Sequence, residues 1–271
     1  MKIVLSRKGF DSGYGGIASP ILPDGTMLSL PIPTDDRDRF EDFSYAGKSY
    51  LEYINELKPY NPYLTSLNCH LDPDIRAGII KRPKAWKPIF GQCAAAETHL
   101  ENQGVKEGDV FLFFGWFKKT ENSKNGLSYV KGTPDLHVLY GYLQIGKIER
   151  GHDVTRYKWH PHSEYTGSNN TMYIASDTLI IDGKDMGLQG AGVFRYSDEL
   201  VLTYPGMTRT KWRLPEFFKD VNISYHNKSS FKPEGYFQSA HKGQEFVVSE
   251  SKELTEWAKR IIRNNIDIRA K

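Results

Sequence analysis

The sequence has little cysteine and no long apolar run, and each shortage excludes a class of protein. Two cysteines, Cys69 and Cys93, are too few for a disulfide framework or a cysteine-rich zinc site, and they indicate a reducing compartment. The longest apolar stretch, residues 110–117, is far shorter than the roughly 20 residues that span a bilayer. The apolar run at residues 3–5 is too short for a signal peptide. We therefore expect a cytoplasmic protein with no membrane partner.

The sequence also lacks any motif that names a reaction. It contains neither the Walker A nor the GxGxxG phosphate-binding signature, and none of the motifs GxSxG, HExxH and CxxC. The net charge of +3 is small, and the basic clusters at residues 81–84 and 259–263 are typical of solvated surfaces rather than of a nucleic-acid groove. Function therefore has to be inferred from polar clusters.

Aromatic residues are abundant, with 16 Tyr, 14 Phe and 5 Trp, and they favour β-sheets. The apolar run at 110–117 predicts a strand buried on both faces, and residues 136–148 predict a second long strand with bends at its glycines. An apolar stripe with helical spacing predicts a helix over 251–263. Further predicted elements are helices at about 48–58 and 90–103, a polar loop at 118–134, and short extended segments at 2–6, 27–32, 171–175, 179–181, 192–196 and 200–203.

These patterns predict an α+β fold, with a β-rich mixed sheet or partial barrel and flanking helices. The sequence shows no internal repeat, no low-complexity tract and no linker-like composition. We therefore expect a single domain over residues 1–271.

The loop after the first predicted strand carries one candidate site. Arg7 and Lys8 could clamp a phosphate, and the neighbouring glycines let the backbone approach it. Asp11 and Ser12 add polar groups to the same loop. The alternative is a glycine-rich turn in which the arginine and the aspartate pair with each other.

A second candidate site is the segment that contains His70, Asp72 and Asp74. In an extended chain these three side chains point to one side, where they form a set of ligands for Mg, Mn or Fe. The Asp-Pro-Asp sequence is also typical of an ordinary turn, so the two interpretations stay open.

Two further groups of polar residues are weaker candidates. His160 and His162 flank a proline and could present both imidazoles to a metal or a phosphate, but we favour an exposed loop there. Lys242, Gln244 and Glu245 could read the edge of a nucleobase, because an amide offers both a donor and an acceptor. The alternative for the second group is an edge strand with an ion pair.

Several segments resemble the third class of the nucleotide-modification-associated domains. They are residues 1–12 with Gly15, Gly16 and 19–25, the HLDPD segment at 70–74, Gly108-Asp109 with the strand that follows, and residues 243–246. The resemblance covers nearly the whole chain. It implies a bacterial or phage setting in which bases or nucleotides are modified, and it assigns no reaction.

A more local similarity concerns residues 105–149. Their pattern of a Gly-Asp turn, an apolar strand, a loop and a second strand is similar to the small-barrel PUA and EVE modules. Those modules hold modified bases in an aromatic pocket, and this similarity implies a base-reading role for Gln144.

The leading hypothesis is an enzyme of DNA or nucleotide modification that acts on a nucleotide or a base. Its partner would be a nucleotide or nucleic acid held by the basic N-terminal loop, and a divalent metal is the cofactor that the residues suggest. The catalytic residues we expect are Asp11, His70, Asp72 and Asp74, and the substrate-binding residues are Arg7, Lys8, Gln144, Lys242, Gln244 and Glu245.

Two alternatives stay open. One is a non-catalytic reader of modified bases, and the other is a metal-dependent phosphodiesterase or nuclease of a defence system. We also predict that the loop 7–12 and the segment 70–74 meet in a single cleft, because both are polar clusters that flank apolar elements.

Overall fold

The computed structural model describes residues 1–167, 169–240 and 243–269. Within these residues the α-helices are α1 Tyr50–Leu57, α2 Ala94–Asn102 and α3 Lys252–Asn265. The strands are, in chain order, β1 Ile3–Arg7, β2 Ser19–Ile21, β3 Ile32–Arg39, β4 Ser44–Tyr45, β5 Lys48–Ser49, β6 Asn68–His70, β7 Ile89–Gln92, β8 Val110–Ser123, β9 Gly126–Tyr129, β10 Leu136–Arg150, β11 Thr171–Ala175, β12 Thr178–Ile181, β13 Lys184–Gln189, β14 Ala191–Val193, β15 Lys211–Trp212, β16 Phe237–Gln238 and β17 Glu245–Val248.

Nine of these strands form one mixed sheet, whose main path runs β17-β1-β8-β10-β11-β7. Strand β1 is parallel to β8, whereas β8 and β10 are antiparallel. The described residues therefore form the mixed sheet with flanking helices that the sequence predicts. Of the two alternatives, sheet or partial barrel, they form the sheet, and residues 105–149 contribute its two central strands.

The centre of the sheet is buried on both faces, as the apolar run of β8 predicts. Phe111 and Phe113 are fully buried. The register of β10 shifts at Gly141, where a Cβ would lie 2.9 Å from the carbonyl oxygen of Gly192. A second shift occurs at Gly146. Both predicted bends are confirmed, and their cause is the close approach of neighbouring backbone.

Helix α3 packs on this sheet through the predicted apolar stripe. Ser251 caps its N-terminus by accepting a hydrogen bond from the amide of Leu254. Trp257 and Ile261 are buried in the same core as β1 and β8. Each such fully buried side chain stabilises the fold by about 1.5–3 kcal/mol. None of the helices in the described residues is long and apolar enough to cross a membrane.

Two sequence predictions about elements are wrong. The predicted helix at 90–103 begins only at Ala94, because residues 89–92 form β7 and Phe90 pairs with Tyr173 of β11. The predicted loop at 118–134 is largely a hairpin, because β8 continues to Ser123 and pairs with β9. In both cases tertiary pairing outweighs local propensity.

Three short predicted strands differ in their bounds from the structure. The strand predicted at 27–32 begins only at Ile32, and the one predicted at 192–196 is β14, which ends at Val193. The strand predicted at 200–203 is replaced by a 3₁₀ turn that ends at Leu200, followed by isolated bridges. Strands β11 and β12 confirm the predictions at 171–175 and 179–181.

Candidate functional site

A cleft of about 960 Å³ opens at the C-terminal end of β1, where Arg7 is the last residue of the strand. Asp11 of the N-terminal loop lines it, and so do His70 and Asp72 of the second candidate segment. The two segments thus meet in one cleft, as the sequence predicts. The volume lies within the range of small-molecule pockets, roughly 300–1,000 Å³.

Three side chains on one wall of this cleft form a compact polar cluster. His70 ends β6, Asp72 follows two residues later, and His162 lies in a 3₁₀ turn over Pro161–Ser163. Each offers one potential metal-ligand atom, and these three atoms lie within 4.8 Å of one another. The rings of His70 and His162 are in edge contact, with centroids 5.1 Å apart. We call His70, Asp72 and His162 the His-Asp cluster.

A carboxylate orients the imidazole of His70. Nδ1 of His70 lies 2.6 Å from Oδ2 of Asp36 on β3. The hydrogen bond with His70 lowers the pKa of Asp36, against the effect of its burial, so Asp36 is the acceptor and Nδ1 carries the proton. The ring nitrogen that His70 leaves for another partner is therefore Nε2.

An amide orients the imidazole of His162 in the same way. The Nδ2 group of Asn170 donates to the backbone oxygens of His162 and Tyr165, at 2.7 and 3.2 Å. Oδ1 of Asn170 is therefore an acceptor, and Nδ1 of His162 donates to it over 2.7 Å. Burial lowers the pKa of His162 to about 4, so the imidazole is neutral at pH 7 with Nε2 as its acceptor.

The third member of the cluster, Asp72, is a buried carboxylate. Its Oδ1 accepts a hydrogen bond from the amide of Gly91 at 2.8 Å and lies 3.3 Å from Nε2 of His160. Burial alone would raise the pKa of Asp72, but His160, His162 and Lys8 outweigh that effect and lower the pKa to about 2. Asp72 is therefore ionised at neutral pH.

Asp74 lies apart from the His-Asp cluster. Its carboxylate forms a buried ion pair with Arg82 and accepts a hydrogen bond from Nε1 of Trp86 at 2.9 Å. The amide of Asp72 donates to the carbonyl of His70, so the chain turns here and the alternation of an extended strand does not hold. His70 and Asp72 therefore lie together as the sequence predicts, whereas Asp74 does not. The third member of the group is His162.

The basic end of the cleft contains one buried ion pair. Nζ of Lys8 lies 2.8 Å from Oε1 of Glu245, and the two side chains are 9% and 1% exposed. The same carboxylate oxygen accepts a hydrogen bond from Nε2 of Gln92 at 2.7 Å. Glu245 begins β17, which ends the main path of the sheet, so an edge strand with an ion pair describes this segment. Gln244 lines the cleft, and Lys242 lies outside the described residues.

Arg7 and Asp11 shape the loop beside this ion pair. The backbone amide of Arg7 donates to the carbonyl of Gln244 at 2.8 Å, and its Nη2 donates to the carbonyl of Gly243 at 3.3 Å. Oδ1 of Asp11 accepts hydrogen bonds from the amides of Gly13 and Tyr14 at 2.7 and 2.8 Å. Asp11 therefore stabilises the turn that holds the loop against the cleft.

Gln144 has a different environment from the one that a base-reading residue needs. It is buried on β10, and its amide bonds to the backbone of Gly108 and Ile180 and to Ser176. Among the described residues it is not one of those that line the cleft. Its hydrogen-bonding groups connect the sheet to the strand β12.

Sequence reasoning misjudged the exposure of two histidines and missed three further contributors to the site, which are Asp36, Asn170 and Cys93. The exposed loop expected at 160–162 is wrong, because His160 and His162 are 0% and 5% exposed. Asp36 and Asn170 were not recognised, because each orients a histidine through a contact that leaves no periodic signal in the sequence, across 34 residues for Asp36 and eight for Asn170. Cys93, the N-cap residue of α2, also lines the cleft. The two histidines on either side of Pro161 were the signal that could have identified His162.

The comparison with known proteins agrees with the resemblance seen in the sequence. The chain matches the family model described as nucleotide modification associated domain 3 over residues 2–249, a range that includes the whole His-Asp cluster. No curated protein and no solved structure shows a significant match. The chain therefore belongs to the nucleotide modification associated domain 3 family, which gives it a general role in the modification of nucleotides or DNA.

Proposed function

We propose that this protein is an enzyme that modifies a nucleotide or a nucleobase bound in the cleft. One observation carries the proposal: a single cleft joins an arginine-bearing loop to a cluster of two imidazoles and a carboxylate. The arginine suits a phosphate, and the cluster suits acid-base chemistry on the nucleoside that carries the phosphate. Membership of the family supplies the class of substrate.

Arg7 is the residue we assign to the phosphate. It ends a buried strand, and two contacts with residues 243 and 244 hold its backbone and guanidinium in place. A guanidinium offers a planar fork of donors that matches phosphate oxygens. Lys8 contributes less, because its ammonium is already paired with Glu245.

Two tyrosines offer stacking surfaces for a base. Tyr14 and Tyr165 both line the cleft and both are exposed. Stacking of a base on an aromatic ring stabilises binding by about 1–3 kcal/mol and tolerates many bases. In this arrangement the phosphate lies towards Arg7 and the reacting group lies towards the His-Asp cluster.

The His-Asp cluster supplies groups that can move a proton. The neutral imidazole of His162 offers the lone pair of Nε2, and Asp72 is ionised beside it, so the cluster can hold either a proton or a cation next to the substrate. A non-catalytic reader would need the stacking surfaces but not these buried titratable groups. Their burial in the wall of the cleft favours catalysis over reading.

The experiment is a thermal-shift screen of nucleoside mono-, di- and triphosphates and single-stranded DNA, each with and without divalent metal, followed by mass spectrometry of the recovered ligand. A ligand that binds the native state raises its melting temperature. We expect stabilisation by a nucleotide and a change in its mass. Binding without any change would support the reader, phosphodiester cleavage alone would support the nuclease, and no stabilisation at all would contradict all three functions.

A further inference from the structure

We propose that His70, Asp72 and His162 bind one divalent transition-metal ion through two imidazole nitrogens and one carboxylate oxygen. That the ion is the reaction centre of the cleft rests on the proposed function. The binding of the ion itself does not, and it can be measured without any nucleotide.

The type of donor atom selects the class of metal. Imidazole nitrogens suit zinc, iron, cobalt and related transition metals, whereas magnesium and calcium prefer oxygen ligands. Three protein ligands leave at least one coordination position open, which distinguishes a catalytic site from a closed structural site. The open positions would face the cleft, because all three side chains line it.

The spacing of the three side chains fits a site that closes on the ion. Their ligand atoms lie within 4.8 Å of one another. Zn–N and Zn–O distances near 2.1 Å in a tetrahedral site put the ligand atoms roughly 3.4 Å apart. Movements of about 1 Å therefore bring the set together. His70 is the least buried of the three side chains and has the most room to move.

The hydrogen bonds made by the second ring nitrogen of each imidazole are typical of a metal site. They are an argument independent of the spacing of the ligand atoms. Metal-binding histidines typically donate the other ring N–H to a carboxylate or a carbonyl, which fixes the tautomer. Asp36 does this for His70 at 2.6 Å, and Asn170 does it for His162 at 2.7 Å. Both Nε2 atoms are thereby left as the lone-pair nitrogens.

His160 lies beside the carboxylate, at a longer distance than these hydrogen bonds, and is not one of the three proposed ligands. Its Nδ1 accepts a hydrogen bond from the amide of His162 at 3.3 Å, so the ring proton is on Nε2. That Nε2 lies 3.3 Å from Oδ1 of Asp72, which also accepts the amide of Gly91. Both partners contact Oδ1, and Oδ2 is the oxygen we assign to the metal.

The experiment is calorimetric titration of the metal-stripped, tag-free chain with Zn²⁺, Co²⁺ and Mg²⁺. We expect one Zn²⁺ or Co²⁺ per chain, a visible absorption band for bound Co²⁺, and much weaker binding of Mg²⁺. H70Q should weaken Zn²⁺ binding by roughly 100-fold or more, because losing a ligand costs more than losing an outer partner, which costs about 10–100-fold. D36N should show that smaller loss and a shifted Co²⁺ band.

His152 supplies the matched control, because it is an exposed histidine outside the cluster. H152Q should bind Zn²⁺ like the wild type, and thermal melts should show that H70Q is folded. The proposal is overturned if the wild type binds neither Zn²⁺ nor Co²⁺, or if H70Q binds as tightly as H152Q. If metal binds as expected but the nucleotide screen is negative, the metal centre stands and the proposed function fails.

Discussion

Nδ1 of His70 donates a hydrogen bond to Oδ2 of Asp36 across 2.6 Å, and this contact joins the paired strands β3 and β6 at the edge of the cleft. The contact sets the tautomer of an imidazole that lies beside Asp72 and His162. Because Asp36 is the acceptor, Nε2 of His70 is directed away from it and is available to a ligand. Asp36 on β3 thus determines which ring nitrogen of His70, 34 residues later in the chain, is available to a ligand.

Arg7→Ala should weaken nucleotide binding far more than Arg260→Ala. Removing a positioned guanidinium from a phosphate should cost about 2–5 kcal/mol, because the phosphate loses its partner in the cleft. Arg260 is an exposed residue of α3 that pairs with Glu199 at 2.9 Å, and such a contact is worth about 0–1 kcal/mol. Calorimetric titration with a nucleotide identified by the screen measures both losses. Equal losses would mean that binding is diffuse surface electrostatics.

Gly91→Ala should disturb the His-Asp cluster. A Cβ at position 91 would collide with the ring of His162, and the amide of Gly91 itself donates to Asp72. Overpacking of this kind costs about 1–3 kcal/mol, so we expect a lower free energy of unfolding and weaker Zn²⁺ binding. Gly78→Ala is the control, because a Cβ there would meet nothing within 4 Å. Denaturant unfolding of both variants measures their free energies of unfolding. An unchanged value for Gly91→Ala would show that His162 moves freely.

Glu97 should make the protein less stable as the pH rises. Burial raises the pKa of Glu97 from 4.5 to about 7, despite hydrogen bonding from Tyr173 and the charge of Arg150. Below about pH 4.5 the group is protonated in both folded and unfolded states and has no effect. Between the two pKa values the unfolded state ionises first, so stability falls by on the order of 3 kcal/mol by pH 8.

Glu97→Gln should therefore be stabilising relative to the wild type at pH 8 and close to neutral at pH 5. Glu101→Gln is the matched control, because Glu101 also pairs with Arg150 but is partly exposed. Urea unfolding at the two pH values measures the free energies. A difference between Glu97→Gln and the wild type that does not grow with pH would contradict the raised pKa.

Lys8→Met should destabilise the fold by about 3–5 kcal/mol, because it leaves the buried Glu245 without its cation. The double variant Lys8→Met with Glu245→Gln should recover part of that loss, since the buried charge is removed as well. Lys259→Ala is the control for a surface pair, at 3.6 Å from Glu256. Denaturant unfolding of Lys8→Met, Glu245→Gln and the double variant gives the coupling energy. A double variant no more stable than Lys8→Met would show that the ion pair is not the source of the loss.

The sequence by itself determined the features that depend on local periodicity. The double-sided apolar run of β8, the bends of β10 and the stripe of α3 were predictable, because burial on a strand or a helix repeats with the period of that element. The loop at Arg7 and the segment at His70 were recognisable as polar clusters that flank apolar elements. Both segments line one cleft, with Arg7 at the end of β1 and His70 at the end of β6.

Only the tertiary structure decided which side chains complete the site. His162 lies in a turn distant in sequence from His70, yet pairing of β11 with β7 brings Gly91 against its ring and places Asn170 beside it. Asp74, two residues from Asp72, is instead held by Arg82. Contacts of this kind depend on the three-dimensional packing of distant segments, for which a single sequence carries no periodic signal. The same packing made β7 a strand where local propensity favoured a helix.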